Sequence, residues 1–280
     1  MPGTLYLVPT PIGNLGDLSD RMRETMAEAD FIAAEDTRVT RKLLSHLDIH
    51  KPMVSYYEHN RVESGPRIVS RLLAGESCAL VTDAGTPAIS DPGEDLVRLC
   101  AEAGVDVISI PGPCALITAL TVSGQPTTRF TFEGFLSVNK KNRRAHLDSL
   151  REEQRTMLFY EAPHKLVDTL KDMQAVFGPE RPVSLCRELT KLHEEIIRTT
   201  FGEALALYAE QAPRGEYVLV VRGAEKQEAA APSMEDAVAA VLALQENEGL
   251  KLKEAVRKVS EQLGIAKNAL YEAALSAKDA

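Results

Sequence analysis

Short apolar runs alternate with amphipathic segments along the first 224 residues of the chain. The run at 5–8 is Leu-Tyr-Leu-Val, and a helical stripe of Leu18, Met22 and Met26 follows it at intervals of four residues. Further apolar runs typical of strands lie at 31–34, 52–55, 78–81, 105–110, 130–135, 157–160, 183–186, 196–200 and 217–221. Because strands that alternate with helices indicate βαβ units, we expect an α/β fold with mostly parallel sheets.

Changes in composition divide the chain into parts. The segment 125–129 is a predicted hinge, so we expect one α/β domain at 1–124 and a second at 125–224. The polar, alanine-rich segment 225–233 is a predicted linker. The remainder, 234–280, is predicted to be a small helical domain of helix-turn-helix type. Its apolar positions and central turn are Leu252, Val256, Val259, Leu263, Gly264, Ile265, Leu270 and Leu275.

Composition narrows the classes of function. The 280 residues carry a net charge of -9, so a nucleic acid would have to be bound by local patches rather than by the whole surface. No apolar run approaches the roughly 20 residues that span a membrane, and no secretory signal is expected at the start. The four cysteines are widely spaced, which favours free thiols and a cytoplasmic location. The histidines lack metal-ligand spacing, so no metal site is expected.

The segment 83–93 is the main candidate for a ligand-binding loop. It follows the apolar run 78–81, precedes a helical pattern, and contains Gly85, Pro87 and Pro92. Loops at the carboxyl ends of parallel strands bind ligands in open α/β folds, and glycine allows the backbone to approach a ligand closely. Other loops expected at the same edge are 9–15, 35–38, 111–115, 161–164 and 187–191. None of them has a dinucleotide, P-loop or nucleophile-elbow motif.

Several of these loops carry motifs of a known family. The segments that carry the resemblance are 8–15 (VPTPIGNL), 34–38 (AEDTR), 55–60 (SYYEHN), 83–93 (DAGTPAISDPG), 111–115 (PGPCA), 132–136 (FEGFL), 160–164 (YEAPH) and 187–191 (RELTK). In this order they resemble the tetrapyrrole methylase-like family, and within it the cytidine 2′-O-methyltransferases of ribosomal RNA. The resemblance covers about 5–223, and the C-terminal helices resemble an appended helical domain. Tetrapyrrole and diphthamide relatives carry Gly-Asp-Pro where this chain has Gly85-Thr86-Pro87, which favours the ribosomal branch.

The resemblance implies two α/β domains with S-adenosylmethionine (SAM) bound in the cleft between them, and a homodimer. It also implies methylation of a cytidine ribose in the decoding region of 16S rRNA, with the rRNA bound as part of the small ribosomal subunit. It gives no reason to expect binding to DNA or to a membrane. The positions that match the donor site are Pro11, Ile12, Gly13, Gly85, Thr86, Ile89, Cys114, Ala115, Tyr160, Cys186, Glu216 and Tyr217. Their largely apolar character suits an adenine ring.

Catalysis would need a base near the ribose hydroxyl and cations near phosphate. The expected catalytic residues are Glu35, Asp36, Arg38, His59, Arg187 and Glu188. Because Glu35 and Asp36 are neighbours on an extended chain, at most one of them is expected to point into the cleft. Each residue also has a structural alternative: Asp36 can cap a helix, His59 can lie on a surface loop, and Arg187 can pair with Glu188.

Local basic clusters are the expected RNA contacts. They comprise Lys140, Lys141, Arg143, Arg144, Lys191, Lys251, Lys253, Arg257 and Lys258. The alternative is that these charges belong to a solvated loop and a solvated helix face. Two other functions remain open at the level of sequence. One is methylation of a tetrapyrrole or a protein side chain, and the other is a ribosomal RNA-binding module without catalysis.

Overall fold

The computed structural model describes residues 1–225 and 233–278, which belong to two compact units, Met1–Ala224 and Glu225–Ala280. The larger unit contains two five-stranded sheets with helices on their faces. Of the predicted linker 225–233, residues 226–232 lie outside the described residues. No helix in the described ranges is long and apolar enough to cross a bilayer.

The first sheet is entirely parallel and has the strand order β3-β2-β4-β1-β5. Its strands are β1 (Thr4–Leu7), β2 (Phe31–Ala34), β3 (Met53–Ser55), β4 (Cys78–Val81) and β5 (Asp106–Ser109). Helices α1 (Asp20–Glu28) and α2 (Thr37–His46) pack on one face through Met22, Met26 and Leu44. The other face is covered by α3 (Arg61–Leu73) and α4 (Glu94–Glu102). The prediction of a parallel sheet is confirmed for this half.

The second sheet is mixed, with the order β6-β7-β10-β8-β9. Its strands are β6 (Phe130–Phe135), β7 (Thr156–Glu161), β8 (Pro182–Arg187), β9 (Glu195–Thr200) and β10 (Tyr217–Val221). Only β6 and β7 are parallel, so the prediction of a mostly parallel sheet is wrong here. Glu161 and Arg187 both pair with Tyr217. The carboxyl ends of β7 and β8 therefore still meet at one edge, beside the start of β10.

Helix α5 (Ala115–Ser123) joins the two halves of the larger unit. Its buried residues Leu116, Ala119 and Leu120 pack against Leu158 of β7 and Val218 of β10. The helix lies before the predicted hinge in sequence but packs on the second sheet. The division into 1–124 and 125–224 therefore stays a prediction. On its opposite face the second sheet is covered by α6 (Lys140–Ser149), α7 (Pro163–Phe177) and α8 (Phe201–Glu210).

The smaller unit is a bundle of α9 (Met234–Glu248), α10 (Leu252–Leu263) and α11 (Lys267–Lys278). Val256, Val259 and Leu270 from the predicted apolar stripe are buried in its core. Gly264 is left-handed, with a φ of 68°, and ends α10, as expected of a helix C-cap. Leu275, predicted to belong with Ile265 and Leu270 to a second apolar stripe after the turn, is 44% exposed.

Removing core volume from α5 should weaken the contact between the two halves. We expect Leu120→Ala to destabilise the larger unit by about 3 kcal/mol, because Leu120 is 3% exposed and its loss leaves a cavity. Ile117→Ala on the same helix is the matched control, since Ile117 is 44% exposed and should cost below about 1 kcal/mol. Differential scanning calorimetry of the full chain measures both, and equal shifts for the two variants would contradict the assigned packing.

Candidate active site

Three loops that follow strands of the first sheet are hydrogen-bonded to one another. Thr10 and Gly85 exchange backbone N–H···O bonds of 2.9 and 3.0 Å, and the Thr86 hydroxyl donates to the Pro113 carbonyl at 2.8 Å. Gly85 has a φ of 85°, and a Cβ atom there would lie 3.3 Å from Cγ2 of Ile12. Glycine at this position therefore lets the loop after β4 lie against the loop after β1.

The second half contributes an aromatic wall centred on Tyr160. The Phe132 and Phe135 rings meet the Tyr160 ring edge-on, with centroid distances of 4.9 and 5.5 Å. The phenol oxygen of Tyr160 accepts the backbone N–H of Leu116 at 3.2 Å, which satisfies one of the free donors at the start of α5. Burial raises the pKa of the Tyr160 phenol. The ring therefore stays neutral and ties the second sheet to the helix that follows β5.

The two walls enclose a cavity of about 340 Å³, within the range that holds a small ligand. Residues of both sheets line it, and these are Ile12, Glu35, Asp83, Ala84, Gly85, Thr86, Ile89, Ser90, Asp91, Cys114, Ala115, Phe135, Tyr160, Glu161, Ala162, Cys186, Glu188, Leu189, Lys191, Glu216, Tyr217 and Val218. Burial raises the pKa of Cys186 to about 12. The thiol therefore contributes apolar surface and not a nucleophile.

Three carboxylates, Glu35, Asp83 and Asp91, line the part of the cavity formed by the first half. Glu35 Oε2 accepts the Thr82 hydroxyl at 2.6 Å, and Asp83 Oδ1 accepts the backbone N–H of Asp36 at 3.1 Å. Burial, followed by the charge of Glu35, raises the pKa of Asp91 to about 6 and also raises the pKa of Asp83. Asp91 therefore changes its protonation state close to neutral pH.

The loop after β8 forms an ion-paired corner of the cavity. The Lys191 ammonium lies 2.8 Å from Glu188 Oε1 and 2.9 Å from Glu216 Oε2, and the Glu216 backbone N–H donates to Glu188 Oε1 at 3.0 Å. The hydrogen bond from Lys191 holds the pKa of Glu188 below its usual value. Glu188 is therefore a poor proton acceptor, and its contacts with Lys191 and Glu216 hold the loop in place.

Unfavourable backbone angles are concentrated around the cavity. In the described ranges, five residues other than glycine have positive φ, and four of them lie in the loops after β4 and β8. They are Ala88, Ser90, Glu188 and Thr190, with φ between 50° and 67°. This conformation is costly for residues with a Cβ atom and persists where surrounding contacts enforce it, often at functional sites.

Ten of the twelve donor-site positions implied by the resemblance line this cavity. They are Ile12, Gly85, Thr86, Ile89, Cys114, Ala115, Tyr160, Cys186, Glu216 and Tyr217. Pro11 and Gly13 flank Ile12 and are not among the described lining residues. The structure thus brings together positions that are more than 200 residues apart in the chain, and their role in donor binding stays a prediction.

Only some of the expected catalytic carboxylates lie in the cavity. Glu35 and Glu188 line the cavity, whereas Asp36 does not. Asp36 caps α2 by accepting the Arg38 backbone N–H at 2.8 Å, and its side chain pairs with the Arg38 guanidinium at 2.6 Å. That pairing holds the pKa of Asp36 far below its usual value. The capping alternative for Asp36 is therefore the observed one, and only one of the two adjacent carboxylates points into the cavity.

The other two expected catalytic residues, Arg187 and His59, also lie outside the lining. Arg187 Nε donates to Glu195 Oε2 at 3.0 Å, so its partner is a residue of β9 and not Glu188. His59 is exposed in the turn after β3, where its ring meets the Tyr57 ring edge-on at a centroid distance of 6.1 Å.

The basic run 140–144 begins a helix and is not a mobile loop. Lys140 and Lys141 are exposed in the first turn of α6. Arg143 and Arg144 turn towards the buried Asp172, at 2.7 and 3.4 Å, and the Arg143 side chain is only 13% exposed. Arg143 therefore serves packing between α6 and α7, and its expected role as an RNA contact is not supported by its position.

The basic residues of the smaller unit are exposed. Lys251, Lys253 and Arg257 lie at the surface of α10 and its start, while Lys258 pairs with Glu248 at 2.8 Å. Lys191, also expected to bind RNA, instead lies in the cavity corner with Glu188. Three of the four predicted RNA contacts in this unit are thus exposed, and only the fourth, Lys258, has a salt bridge among the described residues.

Several lining residues are not among the predicted site residues, above all Asp91 and Phe135. Asp91 lies in the loop 83–93, where no motif marks it as half-buried and close enough to be affected by the charge of Glu35. Phe135 sits beyond a bulge between Phe132 and Gly134, which changes the side on which the following residue points. The high content of glycine and proline around Asp91 could have marked it as a site residue, because loops of this composition often bring side chains to a binding site.

Comparison with known proteins identifies the family. The model of the tetrapyrrole (corrin/porphyrin) methylases matches residues 4–205, and that of the RsmI C-terminal HTH domain matches residues 232–278. A Synechocystis sp. protein named ribosomal RNA small subunit methyltransferase I is 47% identical over 98% of both chains. The Escherichia coli O157:H7 protein of the same name is 46% identical over 98% of this chain and 95% of its own. This chain belongs to that methyltransferase family.

A solved structure supports the fold of the family. Uroporphyrin-III C-methyl transferase from Thermus thermophilus, complexed with S-adenyl homocysteine, has a TM-score of 0.55. It is 17% identical and covers 78% of this chain and 97% of its own. The likeness covers most of the chain, and it confirms the predicted α/β fold of the tetrapyrrole methylase type.

Replacing Asp91 should change the dependence of stability on pH. Because its folded pKa of about 6 lies above the ordinary 3.8, the native state loses stability as pH rises from about 4 to about 6. We expect Asp91→Asn to raise the melting temperature by about 2–4 °C above pH 7 and to have little effect near pH 4. Asp168→Asn, at an exposed position of α7, is the control. A difference between wild type and Asp91→Asn that does not vary with pH would show that Asp91 is not desolvated.

Proposed function

We propose that this protein transfers a methyl group from SAM to the 2′-hydroxyl of a cytidine in the decoding region of 16S rRNA. Family membership makes the chain a SAM-dependent methyltransferase of small-subunit ribosomal RNA. The observation that carries this is the match of 46–47% identity, over nearly the whole of both chains, to proteins of that name. The choice of the cytidine 2′-hydroxyl as the acceptor is the finer part of the proposal, and it follows from the motif resemblance.

The cavity fits the chemistry of SAM. Cys114, Ala115 and Val218 give it apolar surface that suits an adenine ring, and the carboxylates of Glu35 and Asp83 favour a ligand with positive charge. Gly85 leaves space that a Cβ atom would fill. When bound, SAM supplies an electrophilic methyl group on a cationic sulfur. The two walls then hold donor and acceptor together, which by itself removes much of the entropic barrier.

Asp91 is the residue we propose as the base. It lines the cavity, and its pKa of about 6 leaves it ionised at neutral pH yet basic enough to accept a proton from a ribose hydroxyl. A base of matched pKa typically contributes 10²–10⁴-fold to such a step. Glu35 maintains this state, because its charge helps to raise the pKa of Asp91. Glu188 and Arg187 position the loop after β8, through their pairs with Lys191 and Glu195.

Removal and restoration of the gene tests the function directly. We expect nucleoside mass spectrometry of small-subunit RNA from a deletion strain to show the loss of one 2′-O-methylcytidine. Purified wild-type protein with SAM should restore it in isolated small subunits. A deletion strain with unchanged small-subunit RNA, together with no methyl transfer in vitro, would refute the function.

The same assay tests the base. We expect Asp91→Asn to lower turnover by about 10²-fold or more while SAM affinity, measured by calorimetry, stays within a few-fold of wild type. Wild-type turnover should fall as pH decreases through about 6, because Asp91 becomes protonated. Asp168→Asn should leave turnover unchanged. Normal turnover by Asp91→Asn would exclude Asp91 as the base and leave the methyltransferase function standing.

We also propose that the enzyme is a cytoplasmic homodimer that acts on rRNA within the small subunit. The homodimer follows from the motif resemblance. Light scattering should give twice the chain mass of 30.6 kDa. A monomeric mass at micromolar concentration would contradict the dimer without affecting the proposed reaction.

A further inference from the structure

One face of α2 is basic although the chain as a whole is acidic. The helix, Thr37–His46, contains Arg38, Arg41 and Lys42 and no acidic residue, whereas the net charge of the protein is -9. Their spacing of three and four places these residues on one side of the helix, and all three are exposed. The opposite side is anchored by the buried Thr40 and Leu44.

Two of these cations have no internal partner in the described part of the chain. The Arg38 guanidinium pairs with Asp36 but its side chain is still 84% exposed. Arg41 and Lys42 form no ion pair or side-chain hydrogen bond with any described residue. By contrast, Arg67 and Arg98 on α3 and α4 pair with glutamates one helical turn away. The charge of α2 is therefore available to an external anion.

An exposed aromatic residue lies beside this basic face. Strands β2 and β3 are parallel, with Ala34 paired to Ser55, and Asp36 and Tyr57 each lie two residues beyond that pair. Neighbouring strands are about 4.8 Å apart. The Tyr57 side chain is 40% exposed, and its backbone N–H is fixed by the Asn60 side-chain oxygen at 2.8 Å. The ring is thus held at the surface by an ordered turn.

The start of α2 lies next in sequence to a residue of the cavity lining. Glu35, which lines the cavity, comes directly before Asp36, the residue that caps α2. The cavity presents the carboxylates of Glu35, Asp83 and Asp91, which repel phosphate, while α2 presents cations, which attract it. A nucleotide whose uncharged ribose enters the cavity would therefore keep its neighbouring phosphates on α2.

We propose that the exposed face of α2 (Arg38, Arg41, Lys42) and the adjacent Tyr57 form a binding track for single-stranded RNA, which holds the nucleotides that flank the methylated one. The track rests on the proposed function, because Glu35, which directly precedes the track, lines the cavity that would receive the acceptor ribose. The cations bind phosphates, and Tyr57 stacks on a base. A combination of a basic surface and an exposed aromatic ring is the pattern that binds single strands, whose bases are free to stack.

Two classes of variant test the track. We expect Arg41→Ala with Lys42→Ala to weaken binding of a 16S rRNA transcript about 10-fold near 0.15 M salt. The slope of log affinity against log salt should fall by about 1.4, because two phosphate contacts to a single strand are lost. Tyr57→Ala should also weaken binding by about 10-fold, and Tyr57→Phe, which keeps the ring, should bind within about twofold of wild type.

The control variant also removes two positive charges, but from helices on the opposite face of the first sheet. Arg67→Ala with Arg98→Ala deletes two exposed cations from α3 and α4 and should leave RNA affinity and its salt slope unchanged. Fluorescence anisotropy measures RNA binding, and calorimetry with SAM verifies that the donor site is intact in every variant. In methylation assays we expect the track variants to raise KM for RNA more than they lower kcat.

The outcomes separate the track from the proposed function. If wild type methylates small-subunit RNA and the track variants bind the transcript as wild type does, the track is refuted and the function stands. If wild type transfers no methyl group, the function fails, and the anisotropy measurements still test the track. If the variants bind the transcript normally but bind purified small subunits weakly, the face contacts a ribosomal protein, which overturns the RNA assignment.

Discussion

The packing of α5 on the second sheet is the contact on which the site depends. Leu116, Ala119 and Leu120 belong to the chain segment that continues the first half, yet they are buried against β7 and β10. Tyr160 adds a polar link by accepting the Leu116 backbone N–H. Because this helix fixes the two sheets in one unit, the loops after β1 and β4 lie opposite those after β7 and β8. Without it, neither half alone would form a cavity.

The strained loops depend on the same arrangement. Ala88 and Ser90 on one side, and Glu188 and Thr190 on the other, adopt positive φ angles that their side chains disfavour. A residue in this conformation is maintained only when its surroundings supply compensating contacts. Ion pairs between Lys191, Glu188 and Glu216 supply them on the second side. On the first side the bridge between the loops after β1 and β4 does so, and the cavity walls are therefore preorganised.

Sequence patterns were sufficient for the elements and for most of the cavity lining. Apolar runs located the strands, and the fold brings together ten of the positions that the loop motifs predict to bind the donor. The direction of β8, β9 and β10 could not be predicted, because a buried apolar run is compatible with parallel and antiparallel pairing. The burial of Asp91 beside Glu35 likewise arises from contacts between residues 56 positions apart. Arg187 pairs with Glu195 and not with its sequence neighbour Glu188, because β8 and β9 are adjacent strands of the sheet.

Acidic and basic side chains occupy different parts of the surface, which the net charge of the protein does not reveal. An acidic protein of charge -9 gains little from long-range attraction to RNA. The carboxylates around the cavity suit a cationic donor, and they would repel a phosphate brought to the same place. Phosphate binding must therefore occur at a separate surface within one or two nucleotides of the acceptor ribose. The face of α2 satisfies this condition, because its N-cap Asp36 follows Glu35 directly. The acidic cavity and the basic helix thus act together. The cavity admits the uncharged ribose, and the helix binds the phosphates that remain outside it.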